Sequence, residues 1–159
     1  MSTRCQIGFY EASEKDLNNF QALIYRHSDG YPGTPDGKEN GVLADIVPFL
    51  KWFDTKRGLD DTEYVSARLL QYLCDKHDEW ARECAKTHEY TVENPGLTGF
   101  LGYGICKSMH GDINYYYAVY PDQLEVWKPT HGDNYELSDC SKWKLLDTII
   151  LKERNQHGN

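Results

Sequence analysis

The chain has 159 residues, a length typical of a single domain, and 13% of them are aromatic, with tyrosine the most frequent. Its net charge is −8, from 25 acidic and 17 basic residues without a basic block, which disfavours an extended interface with nucleic acid phosphates. There is no apolar run of membrane-spanning length and no apolar segment behind Met1 typical of a secretion signal. We therefore expect a cytoplasmic protein without a membrane segment, folded as one domain over 1–154 with a polar tail at 155–159.

The first half of the chain predicts a hairpin, a long loop and two helices. Apolar side chains alternate over residues 3–9, and residues 21–27 form a second apolar run, so these two segments predict an antiparallel hairpin. Residues 27–41 contain four glycines and two prolines, a composition that predicts a long loop. Apolar residues at helical spacing then predict a first helix that Pro48 kinks or breaks, followed by a long second helix over about 62–88.

The second half of the chain predicts mainly strands. An Asn-Pro-Gly sequence within residues 89–99 predicts a loop there. Three strands follow, at 101–106, 115–120 and 123–128. Residues 145–151 suit a helix or a strand equally well. The order ββααβββ plus a final helix or strand predicts an α+β fold, with an antiparallel sheet of about five strands in two hairpins and both helices packed on one face.

The cysteine pattern argues against a disulfide framework. The five cysteines are odd in number, and no two of them have the C-x-x-C spacing of zinc fingers and redox motifs. Each lies in an otherwise apolar segment, so we expect small, buried side chains with free thiols. They are Cys5, Cys74, Cys84, Cys106 and Cys140.

Two short stretches carry a resemblance to a known family. Ser2-Thr3-Arg4 precedes the first predicted strand, and residues 25–32 read Tyr-Arg-His-Ser-Asp-Gly-Tyr-Pro. These stretches resemble a family of small prokaryotic and phage proteins that share an N-terminal S-T-R strand and a Y-R-H-x-D-G-Y-P motif. The similarity covers roughly the first 50 residues, with a weaker match at Gly111–Ile113. The family has no assigned activity, so the resemblance implies a phage-related origin and singles out the loop at 27–41.

A His-x-Asp pattern occurs three times, beginning at His27, His110 and His131. Residues i and i+2 of an extended segment point to the same side, so the aspartate can orient the histidine or share a metal ion with it. The alternative is that each aspartate belongs to an ordinary turn that a histidine happens to precede. We predict His27 and Asp29 as a candidate catalytic pair, and His110 and Asp112 as an opposing pair that binds a ligand.

Arg26 and Tyr31 are the remaining candidate ligand-binding residues. Arg26 ends the second predicted strand, where a fixed guanidinium group can bind a carboxylate or phosphate through two hydrogen bonds. It can equally hold the loop in place through Asp29, Asp36 or backbone carbonyl groups. Tyr31 lies within the loop. The motifs specify no cofactor and leave open whether a metal ion binds.

Three functions are compatible with the sequence. We favour a binding or interaction module that uses the loop at 27–41. The first alternative is a small enzyme that uses histidine and aspartate, with or without a metal ion, on an anionic small molecule; convergence of His27 and His110 in one cavity would favour it. The second is an acidic mimic of nucleic acid. The tyrosine-rich hairpin at 113–128 is expected to bury against a partner, such as a second copy in a homodimer.

Overall fold

The computed structural model describes residues 2–88 and 102–152, apart from the side chains at 84–88 and 135. The loop predicted at 89–99 and the tail predicted at 155–159 lie outside the described residues. The helices and strands of the described residues are β1 (Cys5–Phe9), β2 (Ala22–Arg26), α1 (Val42–Lys56), α2 (Thr62–His88), β3 (Tyr103–Ile105), β4 (Tyr115–Val119), β5 (Gln123–Lys128) and β6 (Lys144–Ile150). The α+β class predicted from the sequence is confirmed.

The six described strands form one mixed sheet in the order β3-β2-β1-β4-β5-β6. Both predicted hairpins are present, because β1 pairs antiparallel with β2, and β4 pairs antiparallel with β5. The two hairpins join through parallel pairing of β1 with β4, in which Ile7 lies opposite Tyr117. The prediction of an antiparallel sheet of about five strands is therefore wrong. These two central strands can pair in parallel because both of their faces are covered and nearly all of their residues are buried.

The ambiguous segment near the C-terminus is the edge strand β6. It pairs antiparallel with β5, with Leu124 opposite Ile149 and an irregularity in register between Val126 and Trp127. The apolar residues of this segment suit a helix and a strand equally well. The free edge of β5 is available for pairing, and this pairing makes the segment a strand.

Both helices pack on one face of the sheet, as predicted. The main hydrophobic core joins that face to α1 and α2, and its central members have no exposed surface. These include Ile7, Ile46, Leu50, Leu69, Leu73, Tyr117 and Leu124. Both α1 and α2 therefore gain most of their stability from burying an apolar stripe.

The sequence left open whether Pro48 kinks or breaks the first helix, and a break into two helices is wrong. The helix α1 is assigned as one element from Val42 to Lys56 with Pro48 inside it. Pro48 has no N–H to donate to the carbonyl of Ala44. Its ring is exposed, and the buried apolar side chains on both sides of it hold the helix together.

The opposite face of the sheet is covered by the chain's own loops. A second apolar cluster there contains Tyr10, Leu17, Ile113, Tyr116 and Trp143, all of them buried. The tyrosine-rich hairpin thus lies in the middle of the sheet. Tyr116 and its neighbour on the other face are both 0% exposed, so neither ring is available to a second copy.

Two further expectations concern thiols and membranes. The described cysteines are free thiols, but only Cys5 is buried as expected, whereas Cys74, Cys106 and Cys140 are partly exposed. Among the described helices, none combines the length and the apolar character that crossing a bilayer requires.

Candidate functional site

The loop at 27–41 follows a path fixed by hydrogen bonds to neighbouring elements. The backbone N–H of Gly30 donates to the carbonyl of Thr3 at 2.8 Å, and the hydroxyl of Tyr117 donates to the carbonyl of Gly30 at 2.7 Å. At the other end, Val42 and Leu43 of α1 donate their N–H groups to loop carbonyls at 2.9 and 2.8 Å. These contacts offset the entropy lost when such a glycine-rich segment becomes ordered.

The tip of the loop is closed by two glycines packed backbone to backbone. Gly33 has a φ of +62°, and a Cβ added there would lie 2.5 Å from the carbonyl oxygen of Asn40. A Cβ on Gly41 would lie 2.4 Å from the nitrogen of Gly33. Only glycine allows this approach, which brings Gly33 against the segment that leads into α1.

A cavity of about 390 Å³ lies between this loop, the N-terminus of α1 and the middle of α2. We call it the loop pocket. It is lined by Arg26, Ser28, Asp29, Tyr31, Gly37, Asn40, Gly41, Ala44, Asp45, Lys76, His77 and Trp80.

The floor of the loop pocket is a buried ion pair. The Arg26 side chain is 4% exposed, and its NH1 donates to Oδ2 of Asp45 at 2.8 Å. Its Nε donates to the carbonyl of Ser28 at 2.9 Å, which ties the start of the loop to β2. Of the alternatives for Arg26, the structure shows a backbone carbonyl as partner, and the carboxylate that it binds is Asp45.

Asp45 contacts three positively charged or chargeable groups at once. Besides Arg26, it accepts Nζ of Lys76 at 3.1 Å on Oδ1, and Nε2 of His77 lies 3.7 Å from Oδ2. The Lys76 side chain is 44% exposed and reaches the pocket from solvent. Arg26 and Lys76 together carry two full positive charges against the single charge of Asp45.

His77 is also bound to Tyr103 of β3. The Tyr103 hydroxyl lies 2.7 Å from Nδ1 of His77, and the two rings stack with centroids 5.4 Å apart. Burial lowers the pKa of His77, with further lowering by the charges of Arg26 and Lys76 against the opposite effects of Asp45 and Asp29. Burial also raises the pKa of Tyr103. Tyr103 therefore keeps its proton, and the tautomer of neutral His77 with its proton on Nε2 lets Nδ1 accept from Tyr103 while Nε2 faces the carboxylate.

The residues predicted for the site are divided between the two faces of the sheet. Arg26, Asp29 and Tyr31 line the loop pocket on the helix side. His27 lies on the other side, because alternate residues of a strand face opposite ways. The structure therefore separates His27 from Asp29, and Tyr25 takes the place expected for Asp29 as the neighbour of the His27 ring, with its hydroxyl 3.3 Å from Nδ1.

His110 and Asp112 join His27 in an exposed cluster around Tyr25. The ring of His110 stacks on Tyr25 at 4.7 Å between centroids, and its Nδ1 lies 4.0 Å from Oδ1 of Asp112. Asp112 in turn contacts NH1 of Arg4 at 3.3 Å. The two histidines thus converge on one tyrosine at the surface. Within residues 2–88 and 102–152, no three His, Cys, Asp or Glu side chains are grouped so that they could hold a metal ion.

Asp29 does not hold the loop as expected. Its side chain is exposed, its φ is +57°, and the structure gives it no hydrogen bond to another described residue. Asp36 takes a structural role of that kind further along the loop, since its Oδ1 accepts from the N–H of Lys38 and the hydroxyl of Thr34. Those two hydrogen bonds lower the pKa of Asp36.

Four residues of the pocket and its surroundings are not among the candidates predicted from the sequence. They are Asp45, Lys76, His77 and Tyr103. His77 follows the buried Leu73 by four residues, and this helical spacing is the local signal that His77 faces inward. No local pattern predicts that Asp45, in the first turn of α1, lies beside His77 of α2. Nor does one predict that His77 contacts Tyr103 of β3.

A second, larger cleft is strongly acidic. It measures about 730 Å³, and it is lined by five carboxylates and a single lysine together with aromatic and polar groups. The carboxylates belong to Glu14, Asp16, Asp122, Glu125 and Asp139. This cleft repels anions, so an anionic group is accommodated better at the loop pocket.

No family model, no curated protein and no solved structure matches the chain.

Proposed function

We propose that the protein is a binding module whose loop pocket takes a small molecule through an anionic group. The observation that carries this proposal is the pairing of one carboxylate, Asp45, with both Arg26 and Lys76. Arg26 is buried and already neutralises Asp45, so the exposed ammonium group of Lys76 is the cation that a ligand can take over. A carboxylate or phosphate oxygen is the natural partner of such a group.

The state of the neighbouring groups supports binding rather than catalysis. A general base needs an accessible lone pair, but Nδ1 of His77 is used by Tyr103. Tyr103 has a raised pKa and remains protonated, so it cannot serve as a nucleophile near neutral pH. The enzyme alternative also required His27 beside Asp29, and these residues have different surroundings on the two faces of the sheet.

The dimensions of the loop pocket fit a small ligand. Its volume of about 390 Å³ lies at the lower end of the range for ligand pockets, roughly 300–1,000 Å³. Its wall is a loop that is already fixed by backbone hydrogen bonds, so little order has to be imposed on binding.

The proposal is tested by nuclear magnetic resonance of the isotopically labelled protein with a panel of short carboxylates, phosphate monoesters and amino acids. We expect one of these classes of compound to shift the amide signals of Gly37, Gly41 and Ala44. Lys76→Met should then weaken binding by at least about tenfold, or ~1.4 kcal/mol. The matched control is Lys144→Met, which removes an exposed lysine from β6 and should leave the affinity unchanged.

Two results would contradict the proposal. One is a panel in which no compound moves the signals of the loop pocket. The other is a ligand that binds the Lys76→Met variant as tightly as the original protein, because the exposed ammonium group would then have no part in recognition.

A further inference from the structure

The charges around the loop pocket point to a particular class of ligand, and this inference rests on the proposed function. Arg26 and Lys76 contribute two positive charges, and Asp29 and Asp45 contribute two negative charges. His77 is neutral at pH 7 because its pKa is lowered. The described lining of the pocket therefore has a net charge of zero, which matches a neutral ligand better than a dianion such as a phosphate monoester.

The opposite charges at the rim are arranged for separate groups of one ligand. Lys76 presents its ammonium group on the α2 side, and Asp29 presents an exposed carboxylate on the loop side. Asp45 is occupied by Arg26, so Asp29 is the carboxylate left for a ligand. A molecule with an anionic group and a cationic group can contact both sides at once.

Aromatic side chains supply a further contact for a cation. Tyr31 and Trp80 line the same cavity and are 40% and 59% exposed. An ammonium group is attracted to the face of such rings, and the attraction adds to that of a nearby carboxylate.

We propose that the loop pocket binds a zwitterion with a free carboxylate and a free ammonium group, as in an α-amino acid. The carboxylate displaces Asp45 as the partner of Lys76. The ammonium group lies between Asp29 and the ring of Tyr31. The side chain of the ligand contacts the remaining pocket wall and determines which zwitterion binds best.

Calorimetric titration of the full chain with each proteinogenic L-amino acid identifies the tightest binder. That amino acid is then compared with two analogues of the same side chain, the acid that lacks the amino group and the amine that lacks the carboxyl group. We expect both analogues to bind at least about tenfold more weakly, a difference of ~1.4 kcal/mol for each lost group.

Two variants assign the groups of the ligand to residues. Asp29→Asn should weaken binding of the amino acid at least about tenfold and leave binding of the acid analogue unchanged. Lys76→Met should weaken binding of both the amino acid and the acid analogue. Asparagine tolerates the positive φ at position 29, so the loop keeps its conformation. Asp60→Asn, an exposed aspartate beyond the C-terminal end of α1, is the matched control and should leave both affinities unchanged.

The outcomes separate this inference from the proposed function. If the acid analogue binds as tightly as the amino acid, the pocket is an anion site, the zwitterion proposal is wrong and the proposed function stands. If no amino acid binds while other anionic compounds shift the signals of the loop pocket, the zwitterion proposal is again wrong and the proposed function again stands. If no compound of either experiment binds, both proposals are wrong.

Discussion

Replacing Asp45 by asparagine tests the ion pair on which the loop pocket is built. The substitution keeps the shape of the side chain and removes its charge. Arg26, whose side chain is 4% exposed, would then have an uncompensated charge in the interior. Removing one partner of a buried pair costs about 3–5 kcal/mol.

The structure places the expected loss for this variant near the lower end of that range. The side chain of Asp45 is 13% exposed, so water can partly compensate the guanidinium group of Arg26. The lost contact to Lys76 adds little, because an ion pair with a half-exposed lysine contributes roughly 0–1 kcal/mol. We therefore expect Asp45→Asn to lower the free energy of unfolding by about 3 kcal/mol.

Urea denaturation followed by circular dichroism measures this change. The matched control is Asp29→Asn, because Asp29 is exposed and has no hydrogen bond to another described residue; its effect should be within about 0.5 kcal/mol. A value for Asp45→Asn within that same margin would refute the reasoning, and so would an equal loss in the control. In either case the Arg26 pair would not hold the site together.

Four further predictions concern stability and ionisation. Pro48→Ala restores a backbone donor within α1, and urea denaturation should show a gain of about 1–3 kcal/mol. Gly37→Ala should lower the free energy of unfolding by about 1–2 kcal/mol, because Gly37 has a positive φ but nothing within 4 Å of an added Cβ. Gly33→Ala should lower it further, because Gly33 has a similar φ and its added Cβ would also meet the backbone of Asn40. His77 should titrate below 6.5 when followed by nuclear magnetic resonance. Alkylation of the unfolded chain without reductant should modify all five cysteines, as measured by mass spectrometry.

Each of these predictions has a result that contradicts it. A loss of stability in Pro48→Ala would mean that the ring itself packs favourably. Equal losses at Gly33 and Gly37 would remove the argument from close packing of the loop tip. A mass that corresponds to three alkyl groups rather than five, with two further hydrogen atoms missing, would reveal a disulfide.

The prediction for His77 includes a dependence of stability on pH. A pKa lowered by folding means that the unfolded chain binds a proton first as the pH falls below 6.5, so stability decreases from that pH downward until His77 of the folded chain is protonated. His77→Gln should remove this part of the dependence. An unchanged pH profile of unfolding in the variant would contradict the argument.

The predicted helices and strands agree with the structure wherever local interactions determine the secondary structure. In each hairpin the two strands follow one another along the chain, with only residues 10–21 and 120–122 between them. The parallel pairing of β1 with β4 joins residues separated by 110 positions, such as Ile7 and Tyr117, and no local pattern specifies it. Pro48 illustrates the same limit, because burial of apolar residues around it outweighs the lost hydrogen bond.

The candidate site shows a similar division. The composition of residues 27–41 predicted a loop, and Arg26, Asp29 and Tyr31 all line the cavity beside it. The sequence also grouped His27 with them, although alternation along β2 turns His27 to the other face. The partners of Arg26 come from α1 and α2, and the packing of both helices on the sheet brings them together.

A crystal structure of the protein with its tightest-binding compound tests the central claim most directly. The account predicts the anionic group of the ligand within hydrogen-bond distance of Nζ of Lys76, inside the loop pocket and in contact with Tyr31. The ion pair between Arg26 and Asp45 should remain in place beneath it. A ligand found at another surface, or one that fills the pocket while Lys76 stays on Asp45, would contradict the account.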